Sequence, residues 1–203
     1  LYERLGRKDR VSANQSMLSH VACRTGRLDA AIRHAQAAWA AAPNANKDGL
    51  GAEALLAEGN AMLELGRYQD AIDIFTRSRD TYAVTGEMRG IVLSRLNIAL
   101  GYILLGEIDT ALEHFAAIEA TLSKLQTPRL RAFLWYYYGK AYEAKGEFEK
   151  AKELYTRGYK TRVDSGLDAM SGDDLAGVLR AAIGLDQGVE QHLAAGVVEQ
   201  PLD

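Results

Sequence analysis

One heptapeptide is written four times in this chain at an unvarying interval. Gly26-Arg27-Leu28-Asp29-Ala30-Ala31-Ile32 returns as Gly66-Arg67-Tyr68-Gln69-Asp70-Ala71-Ile72, as Gly106-Glu107-Ile108-Asp109-Thr110-Ala111-Leu112 and as Gly146-Glu147-Phe148-Glu149-Lys150-Ala151-Lys152. Each glycine lies 40 residues after the last. A fixed period of this size marks a solenoid, in which a unit buries its apolar face only against its neighbours. Around each heptapeptide the apolar residues recur at helical spacing, as with Ala71, Phe75 and Tyr82. The units therefore read as helix, turn, helix, and the fold class as all-α.

The period divides the chain into repeats at 9–46, 47–86, 87–126 and 127–166. The first helix is expected from Ser12 to Thr25, and Pro43-Asn44 ends the second, since proline cannot continue a helix. Thr127-Pro128 opens the fourth repeat, with threonine as N-cap and proline at the first helical position. Residues 1–8 read as the tail of a preceding repeat: Leu1–Gly6 falls in phase with Thr81–Gly86, and Gly6 suits a helix end. With the start at Leu1, this implies an excised fragment whose parent continues upstream with more repeats. Residues 167–203 read as a capping helix opened by Ser171-Gly172-Asp173-Asp174, or as a degenerate fifth repeat, followed by a tail.

Net charge is −3, so no basic field draws a phosphate backbone, and this segment is expected to bind no nucleic acid. The single cysteine, Cys23, rules out an internal disulfide or a cysteine zinc site and suits a reducing, cytoplasmic location. No uninterrupted run of about 18 apolar residues exists, so no membrane span is expected.

The residues also carry a resemblance. In the fourth repeat they are Trp135, Gly139, Tyr142, Gly146, Ala151, Tyr155 and Gly158. The second has Leu55, Gly59, Met62, Gly66, Ala71, Phe75 and Ser78. The third has Ala99, Tyr102, Gly106, Ala111 and Phe115, with Arg95 where a large apolar residue belongs. The first has Ser19, Ala22, Gly26, Ala31, Ala35 and Pro43, with Gln15 in the early position. This pattern resembles the tetratricopeptide repeat, with a period of 40 rather than 34, as in longer variants from bacterial multidomain regulators. The resemblance implies a right-handed α–α superhelix whose first helices (A) line a concave surface. It also implies a protein-interaction module, not an enzyme.

Read by phase, that surface carries Ser16, Leu56, Leu96 and Tyr136 in one column. A second holds His20, Asn60, Leu100 and Lys140, and a third holds Cys23, Leu63, Ile103 and Glu143. Its middle is apolar, flanked by Tyr136, Tyr137 and Lys140, with Asn60 and Asn97 available to a peptide backbone. The expected partner is a protein or an extended or helical peptide with apolar anchors, because contiguous exposed apolar surface marks interaction sites. Two other readings stand beside it: a ligand- or signal-peptide-sensing region of a larger regulator, and self-association through exposed terminal repeats. The Gly49-Leu50-Gly51-Ala52-Glu53-Ala54 stretch has no preceding strand and is no dinucleotide site. His20 and Cys23 are two possible metal ligands without a third, so no metal or cofactor is expected.

Overall fold

The computed structural model describes residues 6–123 and 127–166. They form α1 (Lys8–Arg24), α2 (Leu28–Ala41), α3 (Gly49–Glu64), α4 (Tyr68–Thr85), α5 (Met88–Leu105), α6 (Ile108–Leu122), α7 (Pro128–Ala144) and α8 (Phe148–Asp164). The architecture is all-α, a TPR-like solenoid of antiparallel helix pairs. The expectations for Leu1–Leu5 and for 167–203, including the cap at Ser171–Asp174, lie outside the described residues. The chain divides into two compact units, residues 1–121 and 122–203.

The turn chemistry explains the period. Gly26, Gly66, Gly106 and Gly146 have φ of 72°, 74°, 83° and 79°, a left-handed conformation that side chains with a Cβ resist. Each ends a helix by the same pair of bonds. At the second turn the Arg67 N–H donates to the Met62 carbonyl (2.9 Å) and the Gly66 N–H to Leu63 (3.0 Å), which satisfies carbonyls that the helix end would orphan. Gly6, Gly86 and Gly166, half a period away, are also left-handed, with φ of 66°, 72° and 64°. Asn46 stands where the next such glycine would be, and there the chain takes another route. Asp48 caps α3, its carboxylate accepting from the Gly51 N–H (2.8 Å) and the Asn44 N–H (3.0 Å).

In the second and fourth repeats the helix pair closes by a small residue facing a ring. A Cβ on Gly59 would lie 2.4 Å from the Phe75 ring, and one on Gly139 would lie 2.8 Å from Tyr155. Ala99 and Phe115, both fully buried, hold the same two positions in the third repeat. The first repeat has Ser19 and Ala35 there, and the Ser19 hydroxyl donates to the Ala31 carbonyl at 2.8 Å. A satisfied polar stitch joins α3, α4 and α5: Ser78 donates to Ala52 O (2.8 Å) and meets Ser94 (3.2 Å).

In the first unit α1 packs on α3 and α3 on α5, while α2 and α4 have no close backbone approach and meet through the Arg77 guanidinium, 5.5 Å from the Trp39 ring centroid. Helices A thus approach one another more closely than α2 and α4 do. The core sits between the layers, where Leu56, Ile72, Phe75, Tyr82 and Ile98 cluster.

Three expectations are corrected. The first helix begins at Lys8, not Ser12. Thr127 does occupy the N-cap position before Pro128, but its hydroxyl makes no capping bond to α7. And α5, with a mean hydropathy of 1.4, is long and apolar enough by length and composition to cross a membrane. Arg89 and Arg95 interrupt its apolar run, which hid it from a strict count. Its buried Val92, Leu96, Ile98 and Ala99 place it as a core helix of the first unit.

Candidate partner-binding surface

The first column of the expected surface is not surface. Ser16, Leu56 and Leu96 are 1%, 4% and 2% exposed. Phase places these residues beside helix A's open face but does not give their depth. α3 is packed against α1, α2, α4 and α5, so more of its circumference is covered than a half-buried helix allows. Leu56 instead packs in the cluster with Met62, Ile72 and Phe75.

The other expected residues lie half-buried on the A helices: His20, Asn60, Leu63, Asn97, Leu100 and Ile103 in the first unit, and Tyr136, Tyr137 and Lys140 in the second. The structure brings Asn97 and Asn60 together across α5 and α3, the Asn97 amide donating at a long 3.4 Å. Leu63 leans on the core cluster. Two residues were missed. Leu93 and Leu104 are 36% and 44% exposed, and with Asn97 and Leu100 they make one stripe along α5 at spacings of four, three and four. Extending the columns by one turn in each direction finds them. The stripe of apolar residues lies beside an α3 lane bearing Asn60 and the exposed Glu64.

In the second unit the aromatic residues order one another. Lys140 Nζ sits 5.6 Å from the Tyr136 ring centroid, an attraction of the ring's negative face for a cation. Tyr136 meets Tyr137 edge-on at 5.1 Å and Tyr155 at 5.9 Å. Tyr155 is buried, and its hydroxyl donates to Glu143. Trp135 lies 5% exposed under the Arg157 guanidinium at 3.8 Å, so it belongs to the repeat core.

Burial, aided by Glu64, pushes the Cys23 thiol up from its usual range. His114 stacks on Tyr102 at 5.4 Å, and burial first, then Arg95 and Arg79, hold its pKa down. Among the described residues no three metal-ligating side chains converge.

The tetratricopeptide-repeat profile matches residues 53–83 and 134–157, the stretches that contain the Gly59/Phe75 and Gly139/Tyr155 pairs. Over those two stretches, about a quarter of the chain, the sequence matches the tetratricopeptide-repeat family. No curated protein matches the chain. Among solved structures, it resembles a Q17M putative kinesin light chain from Podosopora anserina with nearly identical TPR-like repeats. That match is 19% identical, covers 91% of this chain and 92% of that one, and has a TM-score of 0.66. Aspartyl phosphate phosphatase F from Bacillus subtilis is 14% identical, with a TM-score of 0.69 over 90% of this chain and 51% of that one. The Rap conjugation gene regulator of the plasmid pLS20, in complex with the Phr* peptide, is 14% identical, with a TM-score of 0.65 over 93% and 58%. These likenesses are likenesses of fold.

Proposed function

We propose that this tetratricopeptide-repeat protein is an interaction module that binds a peptide or a segment of a partner protein on the A-helix face of its first unit. The observation that carries this is the α5 stripe. Leu93, Leu100 and Leu104 stand open or half-open along one line of α5, with the Asn60 and Asn97 amides beside them. Apolar side chains anchor a ligand and amides answer its backbone, the usual division of labour in such clefts. Leu56 and Leu96, being core, take no part, and neither does Ser16.

A peptide-library selection against the whole chain tests the reading. Selected peptides should carry apolar anchors at helical or alternating spacing. Leu93→Asp combined with Leu104→Asp should weaken them by about thirtyfold or more, the scale of losing one well-seated anchor. Circular dichroism should be unchanged, because both side chains are exposed. Peptides that bind the double variant as tightly as the parent would sink the proposal. A second reading, a signal-peptide-sensing region of a larger bacterial regulator, draws support from the peptide complex of the pLS20 neighbour. It differs in expecting one short peptide of defined sequence rather than a class of apolar segments.

A further inference from the structure

Behind the leucine stripe, α5 carries a charge where the repeat pattern calls for an apolar residue. Arg95 lies two residues from both Leu93 and Asn97, about half a turn round the helix. The first repeat shows what this position meets. Gln15 and His34 stand 80 residues before Arg95 and His114, and they share a 2.7 Å hydrogen bond between α1 and α2. The second repeat has Leu55 and Ile74 at the same two positions, and the fourth has Trp135 and Leu154. The third alone sets a guanidinium opposite an imidazole. A further cation comes from α4. Arg79 holds the position of Trp39, whose ring meets Arg77 of the next helix B at 5.5 Å. The counterpart of Arg77 on α6 is Ala117, exposed and too small to fill that seat, and His114 lies one turn before it. Burial first, then the nearness of Arg95 and Arg79, hold the His114 pKa below its usual value.

Few groups balance these charges. Asp80 accepts from Arg79 at 2.9 and 2.7 Å and is itself exposed. Glu113, beside His114 in the sequence, is exposed, and Tyr102 covers the imidazole by stacking. Arg95 is half-buried and has no hydrogen-bond or ion-pair partner among the described residues. A partly buried guanidinium left unpaired is costly, and its planar fork of donors suits an anion. We propose that Arg95, Arg79 and His114 form a binding site for a phosphate group, on the side of α5 turned away from the leucine stripe. Donors from three helices suit a tetrahedral dianion that offers an oxygen to each, whereas one guanidinium fork satisfies a planar carboxylate. The bound dianion offsets the two arginines, so His114 takes up a proton and donates as an imidazolium. By reciprocity the anion binds more tightly as pH falls through that titration.

The test follows the titration of His114 in the whole chain through its ring-proton resonance. Sulfate is the first probe, because its charge stays constant across that range, and sodium chloride at equal ionic strength controls for screening. Sulfate should raise the His114 midpoint by about half a pH unit or more beyond the chloride effect. The other three histidines should not follow, and acetate should do no more than chloride. Arg95→Gln restores the glutamine–histidine pair that the first repeat accommodates, so it should fold and lose the sulfate response. Arg79→Gln, at a more open position, should weaken it. Inorganic phosphate and O-phosphoserine then separate the sources. A response to the ester at lower concentration assigns the site to a phosphorylated ligand, and an equal response assigns it to the free ion. Three results would overturn the proposal: a midpoint that sulfate moves no further than chloride, a response that acetate reproduces, or one that survives Arg95→Gln.

Discussion

Two glycines of the same chain are irreplaceable for different physical reasons, and a pair of substitutions separates them. Gly106 has φ of 83° and open space where a Cβ would go, whereas Gly59 sits within a helix with the Phe75 ring 2.4 Å from its missing Cβ. Gly106→Ala should cost roughly 1–2 kcal/mol of backbone strain alone. Gly59→Ala forces the ring aside and should cost about 1–3 kcal/mol by overpacking, offset in part by alanine's better helix propensity. Adding Phe75→Leu should recover part of the second loss and none of the first, as read by denaturant unfolding. If Phe75→Leu rescues neither or both, the two mechanisms are misassigned. Both roles were legible in the sequence. The period marked the turn glycines, and the spacing of small residue and aromatic marked the packing pairs. The depth of Ser16, Leu56 and Leu96 was not legible, because one helix's phase does not report how many neighbours surround it.

At the scale of the element, α1 is the helix least like its counterparts. Where α3 and α5 place Leu56 and Leu96, α1 places Ser16, and where they place Ala52 and Val92 it places Ser12. Both serines are buried and neither hydroxyl finds a partner. An unmatched buried hydroxyl costs about 1–3 kcal/mol, and serine is a weaker helix former than alanine. Ser16→Ala should therefore stabilise the protein by about 1 kcal/mol, and Ser12→Ala by a similar amount. Ser19→Ala should not, because its hydroxyl is paired with Ala31. A fall in melting temperature for Ser16→Ala would mean that its hydroxyl is in fact satisfied. The weak match of the first repeat to the family pattern, with Gln15 in the early position, foreshadowed this element's poor core. The outward turn of Met17, Leu18 and Val21 escaped notice because the family pattern describes only what a repeat buries within itself.

For the first unit as a whole, these differences become a gradient of stability. In a repeat array each element gains only from its neighbours, so local cores set local opening energies. The buried side chains of α1 and α2 are serines and alanines alone. Those of α3, α4 and α5 include Leu55, Leu56, Ile72, Phe75, Tyr82, Leu96 and Ile98. Burying a large apolar side chain is worth about 1.5–3 kcal/mol, and an alanine methyl much less. Native-state hydrogen exchange in low denaturant should therefore show α1 and α2 opening together. Their free energy should lie several kcal/mol below that of α3 to α5, and their denaturant dependence should be smaller because less surface is exposed. A common free energy and slope for all these helices would mean that the unit unfolds as one block, and that the alanine-rich first pair borrows its stability from the rest. The α5 stripe belongs to the well-packed end. A ligand seated on Leu93, Leu100 and Leu104 should raise protection in α3 and α5 first, and reach α1 only through the contact between α1 and α3.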